Sequence, residues 1–232
     1  MGDGSAPALV AGSLWSVPAD KQVPAVLARR PAGLRRLHWD TTDGRFAAPG
    51  GFGPAEAARI SEATGTEAEA HVMAHHPSAV VDAWADVCGT VFVHAESQDW
   101  QGATRRLERR GTRPGLAISP GTSVDVVPDG MAVLVMSVVP GRAGTAFDLG
   151  ALVKVARLRD RDPHRPIGLD GGVRREHADR ALAAGVTWMV VGTDLFSDDG
   201  AARWGDLLTR VSPPGAPAPR RSAAGRRPRP SP

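Results

Sequence analysis

The feature that most constrains the fold is an alternation. Eight short apolar runs recur along the chain: "PALVAGSLW", "LRRLHWD", "EAEAHVMA", "TVFVHAE", "RPGLAIS", "MAVLVMSV", "RPIGLDG" and "WMVVGT". They are rich in β-branched and other apolar residues, the pattern of strands covered on both faces. Between most of them lie segments of helical character, among them "ADKQVPAVLARR", "GPAEAARISEATG", "PSAVVDAWADVCG", "DWQGATRRLERRG", "DLGALVKVARLRD" and "RREHADRALAAG". Several of these end in glycine, the usual helix stop. Only "PGTSVDVVPDG", after the fifth run, is too short for a long helix.

Strands alternating with helices predict a parallel sheet. Eight such units in about 210 residues fit the lower end of the size range of a (β/α)8 TIM barrel. A doubly wound open sheet would carry a glycine-rich phosphate loop after its first strand, and "SLWSVPAD" has no such cluster. The expected architecture is therefore an α/β protein, a single (β/α)8 barrel over residues 1–212.

The remainder, "PPGAPAPRRSAAGRRPRPSP" at 213–232, holds five arginines, no acid and seven of the 20 prolines. It cannot bury enough apolar surface to order itself and is expected to be disordered. Its five charges also account for the net charge of +3: without them the rest stands at 3 − 5 = −2, close to neutral. The tail has no aromatic side chain on which a base could stack, so nucleic acid is not the expected partner. No apolar run approaches the roughly 18–20 residues that span a bilayer. The start of the chain lacks the basic residues and apolar core of a signal peptide. With one cysteine, Cys88, an internal disulfide is excluded, and the expected location is the cytoplasm.

Polar residues placed on the predicted strands gather at one end. His38 and Asp40 are two apart on the second strand and share its inward face. Ser13 ends the first strand, His71 lies late on the third with Met73 two further on, and Asp170 ends the seventh. In this fold the C-terminal strand ends carry the active site. Two histidines and two carboxylates converging there predict a divalent-metal site of His38, Asp40, His71 and Asp170, because carboxylates are costly to bury without a cation. Zinc, iron, manganese or cobalt all suit such a donor set.

Other polar residues read more plainly. Asp43 with Gly44 is a turn pair. His75 and His76 belong to a loop entering a helix, with side chains expected to diverge. His94 and Glu96 end the fourth strand, where structural roles outweigh a role behind the site. Cys88 has no base nearby in sequence and is not expected to be catalytic. The tryptophans read as packing residues. Three small-residue loops, "VPGRAG" with Gly141 and Gly144, "DGG" with Gly171 and Gly172, and "GT" with Gly192 and Thr193, fall on the same rim. Their backbone N–H groups can approach an anion closely, which favours a phosphorylated substrate.

These residues resemble ribulose-phosphate 3-epimerase. "SLWS" is similar to that family's first-strand serine motif, and "LHWDTTDGRFAAP" to its His-x-Asp-x-x-Asp-Gly-x-Phe signature. "EAHVM", "VHAES", "ISPGTS", "LVMSVVPG", "LDGGV" and "VVGTDLF" match its later strands in order, over roughly residues 8 to 210.

The resemblance implies a homo-oligomeric barrel that inverts C3 of a ketose phosphate, D-ribulose 5-phosphate to D-xylulose 5-phosphate, with a divalent metal on His38, Asp40, His71 and Asp170. It implies that Asp40 and Asp170 are the two proton-transfer groups. Ser13 would orient one of them or the substrate, and Met73 and Met136 would line the site over the intermediate. The backbone around the glycine loops would hold the phosphate.

Barrel decarboxylases of the orotidine-phosphate type carry Asp-x-Lys-x-x-Asp on this strand, and here Asp40 stands where the lysine would be. Schiff-base aldolases need a strand lysine, but Lys21 and Lys154 both fall in predicted helices. The chain departs from the epimerase pattern at Thr42, where methionine is expected close to the metal, and in the "VPGRAG" loop, at Val139, Arg142 and Ala143. "SPGT" replaces "NPGT". These departures leave open a paralogue acting on another sugar phosphate, such as a hexulose phosphate or a specialised-metabolism sugar. A non-catalytic binding barrel is the remaining, less favoured reading.

Overall fold

A computed structural model describes residues 9–141 and 146–210 of the chain. Nine strands form one sheet: β1 Val10–Ser13, β2 Arg36–Thr42, β3 Gly50–Gly51, β4 Glu67–Met73, β5 Thr90–His94, β6 Arg113–Ile118, β7 Ala132–Met136, β8 Ile167–Asp170 and β9 Trp188–Val191. All but β3 pair in parallel, and β1 pairs with both β9 and β2, so the eight long strands close into a barrel. The expected (β/α)8 barrel is the fold observed. Strand β3 is a two-residue antiparallel addition to the end of β2, opposite Thr41 and Thr42.

The helices are α1 Gln22–Arg29, α2 Pro54–Thr64, α3 Val81–Ala85, α4 Trp100–Arg109, α5 Gly150–Arg161, α6 Arg175–Ala184, α7 Thr193–Phe196 and α8 Gly200–Leu208. All six segments read as helical contain one. Gly65 and Gly185 stop α2 and α6 in the left-handed conformation, where a side chain would be strained. The connection from β6 to β7 holds only a single 3₁₀ turn, Val124–Val126, as its length required.

Strand alternation divides the core in two. Outward residues such as Leu37, Trp39, Val72, Leu116 and Val133 pack under the helices and form the larger cluster. Inward residues, among them Phe92, Leu134, Met136 and Trp188, fill the barrel itself. Gly115 and Gly168 make room for the Phe92 and Trp188 rings, since a Cβ at either glycine would collide with them. These two rings, 5.6 Å apart, fill the lower barrel, with the Glu69 carboxylate against the Trp188 indole, and the candidate ligands gather towards the other end. That end is where the strands finish and the site forms.

Candidate active site

Strand register and barrel closure together assemble the cluster. Pairing sets Ser13 beside His38 and Asp40 beside His71, and Met136 beside Asp170, all on inward faces. His38 sits mid-strand, one layer deeper than Asp40 and His71. One ligand-type atom from each of His38, Asp40, His71 and Asp170 can be chosen so that all lie within 4.8 Å of one another. The histidines are fully buried, while Asp40 and Asp170 keep 7% and 9% exposure towards a cavity above them.

The hydrogen bonds orient these groups. Ser13 Oγ donates to Asp40 Oδ2 at 3.1 Å. His71 Nδ1 lies 3.0 Å from Asp40 Oδ1 and 3.5 Å from Asp170 Oδ2. His38 turns its Nδ1 to Glu69 Oε1 at 2.8 Å, which leaves Nε2 facing the cluster, 3.4 Å from Asp40 Oδ1 and 3.8 Å from Asp170 Oδ2. That Nε2 is buried and has no hydrogen-bond partner. A buried nitrogen of this kind aimed at two carboxylates is what a cation site requires, and the donor set fits a divalent metal.

Without a cation the charges lean on each other. Burial works against charging His38, yet Asp40, Glu69 and Asp170 raise its pKa well above the ordinary imidazole value. Burial likewise opposes charge on His71, but Asp170 and Asp40 raise its pKa. Burial alone would push Asp40 up, and the two histidines instead hold its carboxyl well below the usual range.

Behind the cluster lie groups that the sequence reading placed elsewhere or passed over. His94 Nε2 is 2.8 Å from His71 Nε2, and His94 Nδ1 is 2.8 Å from Glu96 Oε2. Glu96 also accepts from the Ser119 backbone N–H and the Thr122 hydroxyl. The structure places His94 against His71, and Glu96 reaches His71 only through His94. Glu69 was missed, although it lies two residues before His71 and so on the same inward face. Trp188 is more than packing, because its Nε1 donates to Glu69 Oε1 at 3.1 Å.

The signature loop after β2 has its own logic. Asp43 Oδ1 accepts from the backbone N–H groups of Arg45 and Phe46, and Oδ2 from that of His75, so the Asp43–Gly44 turn also ties two loops together. The loop places Phe46 against the His94 ring, 4.5 Å between centroids. Thr42 does not turn its hydroxyl to the cluster: it lies 3.0 Å from the carbonyls of Ala47 and Ala48 and accepts from Gly44 N–H. His75 and His76 do not diverge but pack edge to face at 4.7 Å. Cys88 is buried, and burial raises its thiol pKa, consistent with an inert residue. Lys154 lies in α5 and donates to the carbonyls of Ser119 and Thr122, away from the strand position a Schiff base needs.

The cavity over the cluster has a volume of about 720 Å³. Ser13, Met73 and Met136 line it, together with Gly141, Gly171, Gly172, Gly192 and Thr193. Thr193 Oγ1 is 3.1 Å from Ser16 Oγ, joining the first and last strand loops across the rim. Gly171 and Gly172 both have positive φ, of 105° and 58°, so their backbone takes a path that other residues rarely follow. Gly144 and Arg142 lie outside the described residues, as does 213–232. Trp15, Phe147 and Arg174 also face the cavity; sequence reading did not single them out, and no motif marks them.

Comparison with known proteins agrees with this geometry. The family described as ribulose-phosphate 3 epimerase matches residues 9–196. The chain is 32% identical to the cytoplasmic isoform of ribulose-phosphate 3-epimerase from Oryza sativa subsp. japonica, over 77% of this chain and 82% of that protein. It is also 32% identical to ribulose-phosphate 3-epimerase of Schizosaccharomyces pombe, over 82% of this chain and 86% of the relative. Among solved structures, KGPDC from Streptococcus mutans superposes with a TM-score of 0.62 at 11% identity, covering 87% of this chain and 97% of that one. At that identity the likeness speaks for the barrel alone. Strand order, ligand cluster and sequence relationship converge, and the chain belongs to the ribulose-phosphate 3-epimerase family of isomerases.

Proposed function

We propose that this chain is a metal-dependent epimerase that inverts C3 of a ketose phosphate, with D-ribulose 5-phosphate to D-xylulose 5-phosphate as its reaction. The observation that carries this reading is the cluster itself. Two carboxylates and two imidazoles from three strands meet within 4.8 Å at the floor of a glycine-rimmed cavity, and one buried imidazole nitrogen there lacks a partner.

A proton α to a carbonyl is too weakly acidic for an unaided carboxylate. His38, Asp40, His71 and Asp170 would hold a divalent cation, which supplies positive charge for the oxygens of the enediolate. Inversion needs a proton removed from one face of C3 and another delivered to the opposite face. Asp40 on β2 and Asp170 on β8 approach the cavity from different sides and take those two roles. Ser13, donating to Asp40 Oδ2, fixes which oxygen of that carboxylate is free. Met73 and Met136 supply an apolar cover that keeps water from the carbanionic carbon. Backbone N–H groups around Gly141, Gly144, Gly171, Gly172, Gly192 and Thr193 bind the phosphate.

The chain is further proposed to act in the cytoplasm, as the name of the rice relative supports, and as a homo-oligomer. Among the described residues no helix is long and apolar enough to cross a membrane. Leu149 and Val153, half-exposed one turn apart at the start of α5, are apolar surface that a second copy would cover. Incubating the purified chain with zinc, manganese, iron(II) or cobalt and a panel of ketose phosphates tests the reading. Conversion of ribulose 5-phosphate above all others supports it. Conversion of a hexulose phosphate instead would reassign the substrate.

A further inference from the structure

Each imidazole in the cluster is backed differently, and the backing of His38 is the more rigid. Glu69 on β4 is 3% exposed and faces inward directly opposite His38 in the β2–β4 register. Three groups hold its carboxylate. Oε1 accepts from His38 Nδ1 at 2.8 Å and from Trp188 Nε1 at 3.1 Å, and Oε2 accepts from Arg36 Nη1 at 3.4 Å. The donors come from β2 and β9, so the carboxylate cannot rotate without breaking bonds to two other strands. A carboxylate accepts and does not donate when ionised, and Arg36 beside it favours the ionised form.

From this geometry we propose that Glu69 is a positioning residue: it fixes the tautomer and ring orientation of His38, so that Nδ1 carries the hydrogen and the Nε2 lone pair points at the cluster. The inference rests on the metal reading for its purpose, but not for its geometry. A bare Nε2 without any hydrogen-bond partner is what this tautomer leaves behind. Were the ring flipped, a carbon-bound hydrogen would take the place of Nδ1–H and Glu69 would be a buried acceptor with a lost donor. His71 is set in the same sense through His94, a neutral intermediary, whereas His38 meets its carboxylate directly. Outer partners of metal-bound imidazoles act in this way, raising ligand basicity.

A purely structural carboxylate, stapling β2, β4 and β9, would give the same contacts, and the test separates the two. The full chain, labelled with ¹⁵N in histidine, is examined by NMR without metal at alkaline pH, where His38 is neutral, and zinc affinity is measured by chelator competition. Wild type is expected to show His38 as the Nδ1–H tautomer. Glu69→Leu should lose that preference and bind zinc about 10–100-fold more weakly. Glu69→Gln, which keeps an acceptor oxygen, should recover the tautomer and most of the affinity. Trp188→Phe, which removes the indole donor to Glu69 and part of the barrel filling while keeping an aromatic ring, should lower the melting temperature and leave tautomer and zinc affinity within twofold. An Nε2–H tautomer in the wild type overturns the proposal even if Glu69→Leu does not fold. So does unchanged zinc affinity in a folded Glu69→Leu. Wild type that binds no zinc overturns the metal reading instead, while the spectrum still decides the role of Glu69.

Discussion

The Nε2 atoms of His71 and His94 lie 2.8 Å apart, so one nitrogen must donate and the other accept. The Glu96 contact settles the direction. His94 Nδ1 gives its hydrogen to the carboxylate, its Nε2 is the acceptor, and His71 Nε2 donates, so His71 Nδ1, 3.0 Å from Asp40 Oδ1, is the nitrogen that would face a metal. Removing His94 by substitution to Ala leaves a buried N–H unpaired. The expected cost is about 1–3 kcal/mol of stability and about 10-fold in zinc affinity. Thermal denaturation and chelator competition measure the two effects separately.

The same pair predicts a sensitivity to acid. Burial, aided by His71, lowers the His94 pKa from 6.5 to about 4 against the pull of Glu96. Between those values the unfolded chain takes up a proton that the folded chain refuses, so stability falls as pH drops from 6.5 towards 4. The loss is on the order of 3 kcal/mol. Glu96 runs later. Burial would raise it, but bonds from His94 and Thr122 bring it from 4.5 to about 2, so its stabilising contribution is lost as pH falls through that range. Urea midpoints of the metal-free chain across pH should show the first decline in wild type, and His94→Gln should flatten it.

Asp40→Asn and Asp170→Asn each remove one of the two proposed proton carriers. Each is expected to lower the epimerisation rate by at least about 10²–10⁴-fold while the far-ultraviolet circular dichroism stays that of the folded barrel. Near-wild-type turnover in either variant would contradict the two-base assignment.

Backbone geometry makes a fourth prediction. Gly51 has a φ of 87°, and a Cβ there would collide with the Asp40 carbonyl oxygen. It pairs through β3 with Thr41, next to Asp40. Gly51→Ala is expected to disturb Asp40 and cost about 1–3 kcal/mol, with a greater fall in turnover than Gly53→Ala, whose Cβ would meet nothing. Denaturation midpoints and initial rates for both variants check this.

The barrel was legible because eight buried strands leave eight apolar runs, and alternation put His38, Asp40, His71 and Asp170 on one face. What stood behind them was harder to read. Glu69 falls in "EAEAH", where alternating acid and alanine looks like an exposed edge, although the two-residue spacing from His71 turns it inward. His94 stands at the end of an apolar strand, where a histidine packs as readily as it binds. Thr42 looked like a change beside the ligands, but its hydroxyl is spent on the loop that follows. Strand β3 is two glycines, with no side-chain pattern to betray it, and α8 followed the last strand without a distinguishing motif. Arg142 and Gly144 fall outside the described residues, so the departures in that loop stay as sequence observations.

The most direct test of the central claim is solvent exchange. D-ribulose 5-phosphate is incubated with the metal-loaded chain in deuterated water and followed by NMR. Deuterium should appear at C3 together with xylulose 5-phosphate, and both should vanish in Asp40→Asn and Asp170→Asn. A chain that binds one divalent metal yet leaves the C3 proton in place would contradict the epimerase reading for this substrate.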